Sequence, residues 1–423
     1  MTGSSDSSLL LLCIRRSCGN GSPGITAVMS AHAITRPAAD PPDADRAAAT
    51  RSPPSSGAPR SFRSERPVNR VRCPRILFVR PDHVGDVLLT LPAVAALRRA
   101  LPDAYLAYAA APGAAAVAER CPNLDETLTV RFPPLGREDC DGVTWRETLR
   151  VKAARLANAF DAALVVRPDD PWSGELVAAA SIPIRLGFDM PRTRPYLTDA
   201  LQVPGNRHVA LDGFDLADAL LGRLSSGART KRVLAASVAP SRRDEEEACD
   251  ILSDADASEP LIVVHPGSGW LLKNWPVPQW RQVAEELARR FGTRPVVAGT
   301  AAERPLAREV ADGTPAIDLA GRLSLGALAA VHRRARLVVT TDNGALHLAA
   351  TMGAPVVALF GPGDPFRFAP LARPGSVRVV RAGLPCSPCG TLEHPPCGAV
   401  REPDCVTGIG VEGVLRAAAE LVA

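Results

Sequence analysis

Short apolar runs alternate with helical patterns along most of the chain, beginning near residue 75. The first runs, 76–80 and 105–109, lack the polar alternation of half-exposed strands, and residues 86–101 between them repeat apolar side chains at helical spacing. Unbroken apolar runs of this kind are typical of strands buried on both faces, so the pattern predicts a parallel sheet covered by helices. It predicts further strands at 127–130, 162–166 and 185–188, and further helices at 114–120, 144–160, 172–180 and 209–224.

The same alternation restarts after residues 237–259, a charged and polar segment that we interpret as the interdomain linker. Two alternating series predict an α/β protein with two Rossmann-like domains facing each other across a cleft, at residues 73–236 and 260–423. The second series comprises predicted strands at 261–265, 295–298, 316–320, 337–341 and 356–360, and predicted helices at 278–291, 303–312, 325–335, 345–352 and 411–422.

Composition separates residues 1–72 from the rest of the chain. They are rich in Ser, Pro, Ala and Arg without sustained periodicity, so we predict a disordered tail. A tail that touches an anionic membrane and a translation start at Met29 are the alternatives. Residues 1–75 carry a net charge of +6 in a chain of net charge +4, so the remaining residues sum to about −2. The folded part is therefore not expected to bind nucleic acid.

Two further observations bear on location. No apolar stretch reaches the roughly 18 residues that a membrane-spanning helix needs. Six of the ten cysteines are scattered along the chain, as is usual for thiols in a reducing compartment. We therefore expect a cytoplasmic protein, with peripheral contact at the cytoplasmic face of the inner membrane as an open alternative.

The junction after the first predicted strand carries more polar chemistry than a strand-to-helix turn needs. It reads Arg80-Pro-Asp-His-Val-Gly-Asp86, with two aspartates and a histidine before the helix. Ordinary explanations exist for each: Asp82 forms a turn, His83 faces water, and Asp86 is a helix cap or a first-turn acid.

The second half places polar residues after several strands, where the carboxyl ends of a parallel sheet line a ligand crevice. Each has an ordinary explanation as turn, cap, surface cation or core histidine. Together they predict a bound nucleoside diphosphate, with a helix N-terminus and a lysine at the phosphates and an acid at the ribose. The residues are Gly267, Ser268, Lys273, Glu303, Asp342, Asn343, Gly344 and His347.

These segments in combination resemble glycosyltransferase family 9, the ADP-heptose:lipopolysaccharide heptosyltransferases, over roughly Arg75 to the C-terminus. The matching stretches are "RILFVRPDHVGDVLLTLPAVAALRRALPDA", "VVHPGSGWLLKNWP", "TTDNGALHLAATMGAPVVALFGP" and "CSPC…C…C". The resemblance implies a GT-B fold, with the acceptor on the N-terminal domain and the nucleotide sugar on the C-terminal domain.

The resemblance also assigns roles. Asp86 matches the proposed general base and Lys273 the lysine that contacts donor phosphate, which makes these two the predicted catalytic residues. The family turn maps onto Asp342, Asn343, Gly344 and His347, and here Asn343 stands where the family usually has Thr or Ser. The predicted acceptor-binding residues are Arg80, Asp82, His83 and Gly85, where the first loop departs from the commoner Arg-Leu-Ser-Ser.

The implied chemistry is inverting glycosyl transfer without a catalytic metal, most simply heptose from ADP-heptose to a hydroxyl of a lipopolysaccharide core or other cell-envelope saccharide. Three alternatives stay open: a sugar-nucleotide epimerase of the same fold, a non-catalytic nucleotide-sugar binder, and a scaffold that uses the basic tail at a membrane.

The cysteines of segment 386–405 form a separate prediction. A C-x2-C pair followed by two more cysteines is a pattern that binds structural zinc, and less often an iron–sulfur cluster. Four reduced thiols that serve packing are the alternative. The residues are Cys386, Cys389, Cys397 and Cys405.

Overall fold

The computed structural model describes residues 26–27, 73–132, 142–203, 205–257 and 260–423, with side chains left out at 26–27 and 142–146. The predicted disordered tail therefore lies outside the described residues, except for one two-residue strand. The strands are β1 (Thr26–Ala27), β2 (Arg75–Val79), β3 (Tyr105–Ala110), β4 (Glu126–Thr129), β5 (Ala162–Val165), β6 (Ile184–Phe188), β7 (Asp199–Leu201), β8 (Ile262–His265), β9 (Val296–Val297), β10 (Ile317–Asp318), β11 (Leu337–Thr341), β12 (Val356–Leu359) and β13 (Val377–Val380).

Thirteen α-helices occur in the described residues, most of them between successive strands. They are α1 (Val84–Ala100), α2 (Pro112–Ala118), α3 (Gly142–Leu156), α4 (Pro171–Ala179), α5 (Ala210–Arg223), α6 (Arg242–Asp254), α7 (Val277–Phe291), α8 (Arg304–Ala311), α9 (Leu325–Arg334), α10 (Gly344–Thr351), α11 (Pro365–Phe368), α12 (Asp404–Thr407) and α13 (Val411–Val422).

The strands form two sheets. The N-terminal sheet has the order β4-β3-β2-β5-β6-β7 with every pair parallel. The C-terminal sheet has the order β1-β13-β12-β11-β8-β9-β10, parallel except for β1. Counted from the first strand of each domain, both follow the 3-2-1-4-5-6 order of dinucleotide-binding folds. The prediction of two Rossmann-like domains is confirmed.

The core explains why these runs are strands. Consecutive residues of β2, such as Leu77 and Phe78, are both fully buried because helices cover both faces of the sheet. Leu77 belongs to the cluster that packs under α3 and α4, and Phe78 to the cluster that packs under α1, α2 and α5. The C-terminal sheet is covered on two faces in the same way.

The segment interpreted as a linker contains a helix that the sequence analysis did not predict. Helix α6 begins at a capping box in which the Ser241 hydroxyl accepts from the Asp244 N–H while the Asp244 carboxylate accepts from the Ser241 N–H. Asp244 also forms a two-bonded ion pair with Arg120 of the N-terminal domain, at 2.9 and 2.6 Å. Helix α6 also packs against α9 of the C-terminal domain, so the connection is structured and tied to both domains.

The two domains also pack directly against each other through α1 and α10. Leu348 of α10 and Ala329 of α9 are buried in the hydrophobic core of the N-terminal domain. The N-terminal ends of α1 and α10 meet at the cleft, since a Cβ added to Gly344 would lie 3.0 Å from the Cβ of Val84. This contact between helix starts positions the candidate site.

Candidate active site at the interdomain cleft

The polar loops cluster at the point in each sheet where the strand order reverses. Arg80 follows β2, and Arg167 follows the neighbouring strand β5. In the other domain Gly267 follows β8, and Asp342 follows the neighbouring strand β11. Ligands bind at such reversal points in open parallel sheets, outside the carboxyl ends of the strands.

On the N-terminal side, Arg80 is the centre of a buried ion-pair cluster. Its Nε donates to Asp82 Oδ2 at 2.9 Å, its Nη1 to Thr90 Oγ1 at 3.2 Å, and its Nη2 to Asp86 Oδ1 at 2.9 Å. Arg167 donates to the other oxygen of Asp82. The two guanidinium groups hold the pKa of Asp82 below its ordinary value even though burial acts in the opposite direction.

The accessible groups of this loop are Asp86 and His83. The Asp86 side chain is about one-quarter exposed and that of His83 three-quarters exposed, with 3.9 Å between Oδ2 and Nδ1. Asp86 is not the N-cap of α1, a position taken by His83, but a first-turn residue. The carboxylate stands at the positive end of a helix, with Oδ1 bound to Arg80 and Oδ2 on the side of the exposed His83.

Two predicted acceptor-binding residues, Arg80 and Asp82, are each only 6% exposed, with their polar groups bound to one another and to neighbouring side chains. This geometry therefore does not favour direct contact between an acceptor and either side chain.

Gly85 is required by packing rather than by the close approach of a sugar. An added Cβ would lie 2.6 Å from Cδ2 of His347, so the space beside it belongs to the imidazole.

On the C-terminal side, Lys273 pairs with Asp342 at 2.8 Å. Both side chains are largely buried. Gly363 packs so closely against Asp342 that a Cβ added to Gly363 would overlap with Oδ2 of Asp342. An ammonium group has three N–H donors, so a partner on one side leaves Lys273 able to bind a phosphate on the other. The ion pair orients the lysine at the start of α10.

Asn343 caps helix α10 and also hydrogen-bonds to the loop after β8. Its Oδ1 accepts from the N–H of Leu346, and its Nδ2 donates to the carbonyl of Gly267 at 2.7 Å. Asn343 thereby joins the loop after β8 to the start of α10. The next N–H groups, of Gly344 and Ala345, have no partner within the helix, as at any helix start, and so suit an anion.

Glu303 and Ser268 stand around the same loop. One oxygen of Glu303 accepts from the N–H and hydroxyl of Thr300, while the other, Oε1, lies 2.5 Å from the position of a Cβ on Gly267. Only Oε1 is placed for the predicted ribose contact. The Ser268 hydroxyl bonds to the backbone of Trp270 and shapes the loop.

His347 joins the two sides of the cleft. Its ring is buried on Gly85, and Nδ1 has no hydrogen-bond partner among the described residues. Burial lowers the pKa of His347 to about 4, so it is neutral at physiological pH. A neutral imidazole at this place acts through shape and hydrogen bonding rather than charge.

The chain is similar to known proteins both in sequence and in fold. The profile of glycosyltransferase family 9 (heptosyltransferase) matches residues 149–395, more than half of the chain. The chain belongs to glycosyltransferase family 9. A curated relative, lipopolysaccharide heptosyltransferase 1 of Pseudomonas aeruginosa, is 30% identical over 340 residues, which cover 74% of this chain and 86% of that relative. The predicted family and a glycosyltransferase activity are confirmed.

Solved structures agree with the fold. A family 9 glycosyltransferase from Veillonella parvula, 25% identical, superposes with a TM-score of 0.65, covering 82% of this chain and 97% of that protein. The ADP-heptose lipopolysaccharide heptosyltransferase II of Escherichia coli, 21% identical, gives 0.66 over 82% and 98%. The predicted GT-B fold is confirmed. No helix among the described residues of this glycosyltransferase combines the length and apolar character that crossing a membrane requires.

The four cysteines near the C-terminus do not form a metal centre in the described structure. In residues 26–27, 73–132, 142–203, 205–257 and 260–423 no three His, Cys, Asp or Glu side chains come together in a way that could hold a metal ion. Burial raises the pKa of Cys405 to about 11, which favours the protonated thiol. Structural zinc stays a prediction that elemental analysis of untagged protein can test.

Three residues of the site were not predicted: Thr90, Arg167 and Gly363. Arg167 had a detectable signal, because Arg167-Pro-Asp-Asp after β5 repeats the Arg80-Pro-Asp-His pattern after β2. Two neighbouring parallel strands with the same terminal motif bring the two arginines to one edge of the sheet. Thr90 and Gly363 had no comparable signal, since their contacts arise from packing.

Proposed function

We propose that this family 9 enzyme transfers heptose from ADP-heptose, with inversion, to a hydroxyl of a lipopolysaccharide core saccharide. Its relatives include a lipopolysaccharide heptosyltransferase 1 and a lipopolysaccharide heptosyltransferase 2, each matched over more than 70% of this chain. The donor lies on the C-terminal domain, the acceptor on the N-terminal domain. Saccharide acceptors of this class are anchored in lipid, so the enzyme works in the cytoplasm at the inner face of the inner membrane.

In the proposed reaction the acceptor hydroxyl attacks the anomeric carbon. The new carbon–oxygen bond forms as the bond to the diphosphate breaks on the opposite face, and the hydroxyl proton passes to Asp86. A carboxylate serves as this base if it stands about 3 Å from the hydroxyl. Lys273 and the N–H groups at the start of α10 stabilise the charge that develops on the departing diphosphate, each such donor contributing about 3 kcal/mol. In this scheme no metal takes part.

The observation that carries the proposal is the meeting of two helix starts. The first turn of α1 holds Asp86 and the first turn of α10 follows Asp342, the partner of Lys273; Gly344 and Val84 are in contact between them. Base and leaving-group site thus face one small volume from opposite domains. Inverting transfer requires this arrangement, because nucleophile and leaving group lie on opposite sides of the anomeric carbon.

The test combines donor screening with one substitution. Purified enzyme is incubated with a heptose-free core acceptor and either ADP-heptose or another nucleotide sugar. The masses of the products are measured by mass spectrometry. Asp86→Asn keeps an oxygen for the Arg80 hydrogen bond but cannot take a proton, so turnover falls by about 10²–10⁴ while the melting temperature changes little. Asp125→Asn, which alters another arginine-paired aspartate in the same domain, is the control and keeps full activity.

Two results would count against the proposal. Transfer from another nucleotide sugar in preference to ADP-heptose removes the donor assignment but leaves the site intact. A stable Asp86→Asn enzyme with nearly normal turnover removes the base.

A further inference from the structure

The three kinds of nitrogen in the Arg80 guanidinium are all bound to protein, which is unusual for a residue that recognises a substrate. The group is 6% exposed, and Nε, Nη1 and Nη2 bond to Asp82, Thr90 and Asp86 respectively. A buried guanidinium needs such partners because its charge has left water. Three of its five N–H donors are used in this way, and the burial of the group keeps the other two away from an acceptor in the cleft.

Arg80 contacts Asp86 both directly and through Thr90. Its Nη2 holds Oδ1 of Asp86, while Oδ2 lies 3.9 Å from His83 Nδ1, beyond hydrogen-bond distance. The two carboxylate oxygens are therefore unequal, and Oδ2 is the one available to a hydroxyl in the cleft. Thr90, which accepts from Arg80 Nη1, donates in turn to the backbone carbonyl of Asp86 at 2.9 Å. Arg80 thus controls both the side chain and the helical turn that carries it.

Arg80 is itself fixed from the neighbouring strand. Asp82 accepts from Arg80 with one oxygen and from Arg167 with the other, and Asp82 is also nearly inaccessible. The chain of contacts Arg167, Asp82, Arg80, Asp86 runs from the end of β5 across the end of β2 to the first turn of α1. Arg80 is therefore anchored to two adjacent strands of the sheet rather than to a single loop.

We propose that Arg80 is a positioning residue that orients the Asp86 carboxylate, so that Oδ2 faces the acceptor hydroxyl, and that Arg80 does not bind the acceptor. This inference rests on the proposed role of Asp86 as base. It makes Thr90 a second member of the same device, because the hydroxyl joins Arg80 to the backbone of Asp86.

The test separates binding from orientation by steady-state kinetics. Arg80→Lys keeps the charge but cannot span three partners, so the Asp86 carboxylate loses its fixed orientation. We expect kcat to fall by roughly 10- to 100-fold with the acceptor KM within about twofold of wild type, since a misplacement of about 1 Å can cost about 100-fold in rate. Thr90→Val replaces the hydroxyl with a methyl group of similar size and should also lower kcat, by less than Arg80→Lys does. It decides the matter if Arg80→Lys does not fold.

Arg98→Lys is the matched control. Arg98 lies at the other end of α1, binds backbone carbonyls and Asp125, and is partly buried. The same substitution there should lower the melting temperature without changing kcat. A fall in kcat for Arg98→Lys equal to that for Arg80→Lys would overturn the inference, because general loosening of α1 would then explain both.

A double variant gives the sharpest readout. If Arg80 acts through Asp86, then Arg80→Lys/Asp86→Asn is no slower than Asp86→Asn alone, because residues that act as a unit are not additive. Additive losses would overturn the inference, as would a raised acceptor KM with normal kcat, or no change in either constant. Failure of the proposed function is distinct from these results: it appears as normal turnover in Asp86→Asn itself.

Discussion

Replacing Gly85 by alanine places a methyl group where the imidazole of His347 already lies. The new Cβ would be 2.6 Å from Cδ2 and 3.1 Å from Nε2 of that ring. Carbon atoms in contact are about 3.5–4.0 Å apart, so the two helix starts must separate by about 1 Å or the ring must leave its pocket. His347 is buried, and overpacking at such sites costs about 1–3 kcal/mol.

Gly113 provides a matched comparison. It occupies the second position of α2 as Gly85 occupies the second position of α1, and an added Cβ there would meet nothing within 4 Å. Alanine at Gly113 should be neutral or stabilise by up to about 1 kcal/mol, because helical glycine is entropically unfavourable. The expected difference between the two variants in free energy of unfolding is therefore about 1–4 kcal/mol.

The assay is urea unfolding of both variants, together with steady-state kinetics. Gly85→Ala should also lower kcat by about 100-fold, since it displaces Asp86 from the proposed donor site by the same 1 Å. Equal stability and equal turnover of the Gly85 and Gly113 variants would refute the reasoning, because the α1–α10 contact would then not constrain the enzyme.

Three other predictions follow from single contacts. Lys273→Ala should lower turnover with ADP-heptose by about 10²–10³, measured by kinetics and by calorimetric titration of ADP; unchanged donor use would contradict its role. Burial lowers the pKa of His265 to about 4 and that of His332 also, their Nε2 atoms being 2.9 Å apart. The stability that these neutral rings contribute is complete above about pH 6.5 and is lost as the pH falls toward 4. For His265 alone the loss between pH 7.5 and 5 is about 2 kcal/mol. The urea unfolding midpoint of His265→Asn should therefore fall less than that of the wild type over that range, and an equal fall would disprove the assignment. Ser241→Ala should cost about 1 kcal/mol in thermal unfolding through the lost cap of α6, against almost no change for Ser253→Ala near the other end of that helix.

Much of the fold was predictable because a parallel sheet has a strong local signal. Apolar runs such as β2 and β11 are buried on both faces, so their composition alone marks them. Strand β13, with Arg378 between valines, and the three-residue β7 lack that signal and were not predicted. Helix α6 was missed because its charged surface resembles a linker, although its capping box was present in the sequence.

Candidate residues for the site could be named from the sequence, but the contacts between them could not. The loops that lead to Asp86 and Lys273 could be assigned to the carboxyl ends of strands from their spacing, and the family resemblance supplied the predicted roles of the two residues. The seating of His347 on Gly85 could not, because it depends on how two domains are oriented. The burial of Arg80 was missed for a related reason: its partner Asp82 is held by Arg167, which is remote in sequence and adjacent only through the pairing of β2 with β5.

The shared core between the domains limits how this enzyme can be recombined. Leu348 and Ala329 belong to the C-terminal half of the chain but are buried among side chains of the N-terminal half. A chimera that joins this N-terminal half to the C-terminal half of another family member would have to match the surface of α1 under α10 and the surface of α2 under α9. The two halves are thus separate in topology but depend on each other for packing. Swapping whole domains to change donor specificity should succeed only where the residues on both sides of these contacts are transferred together.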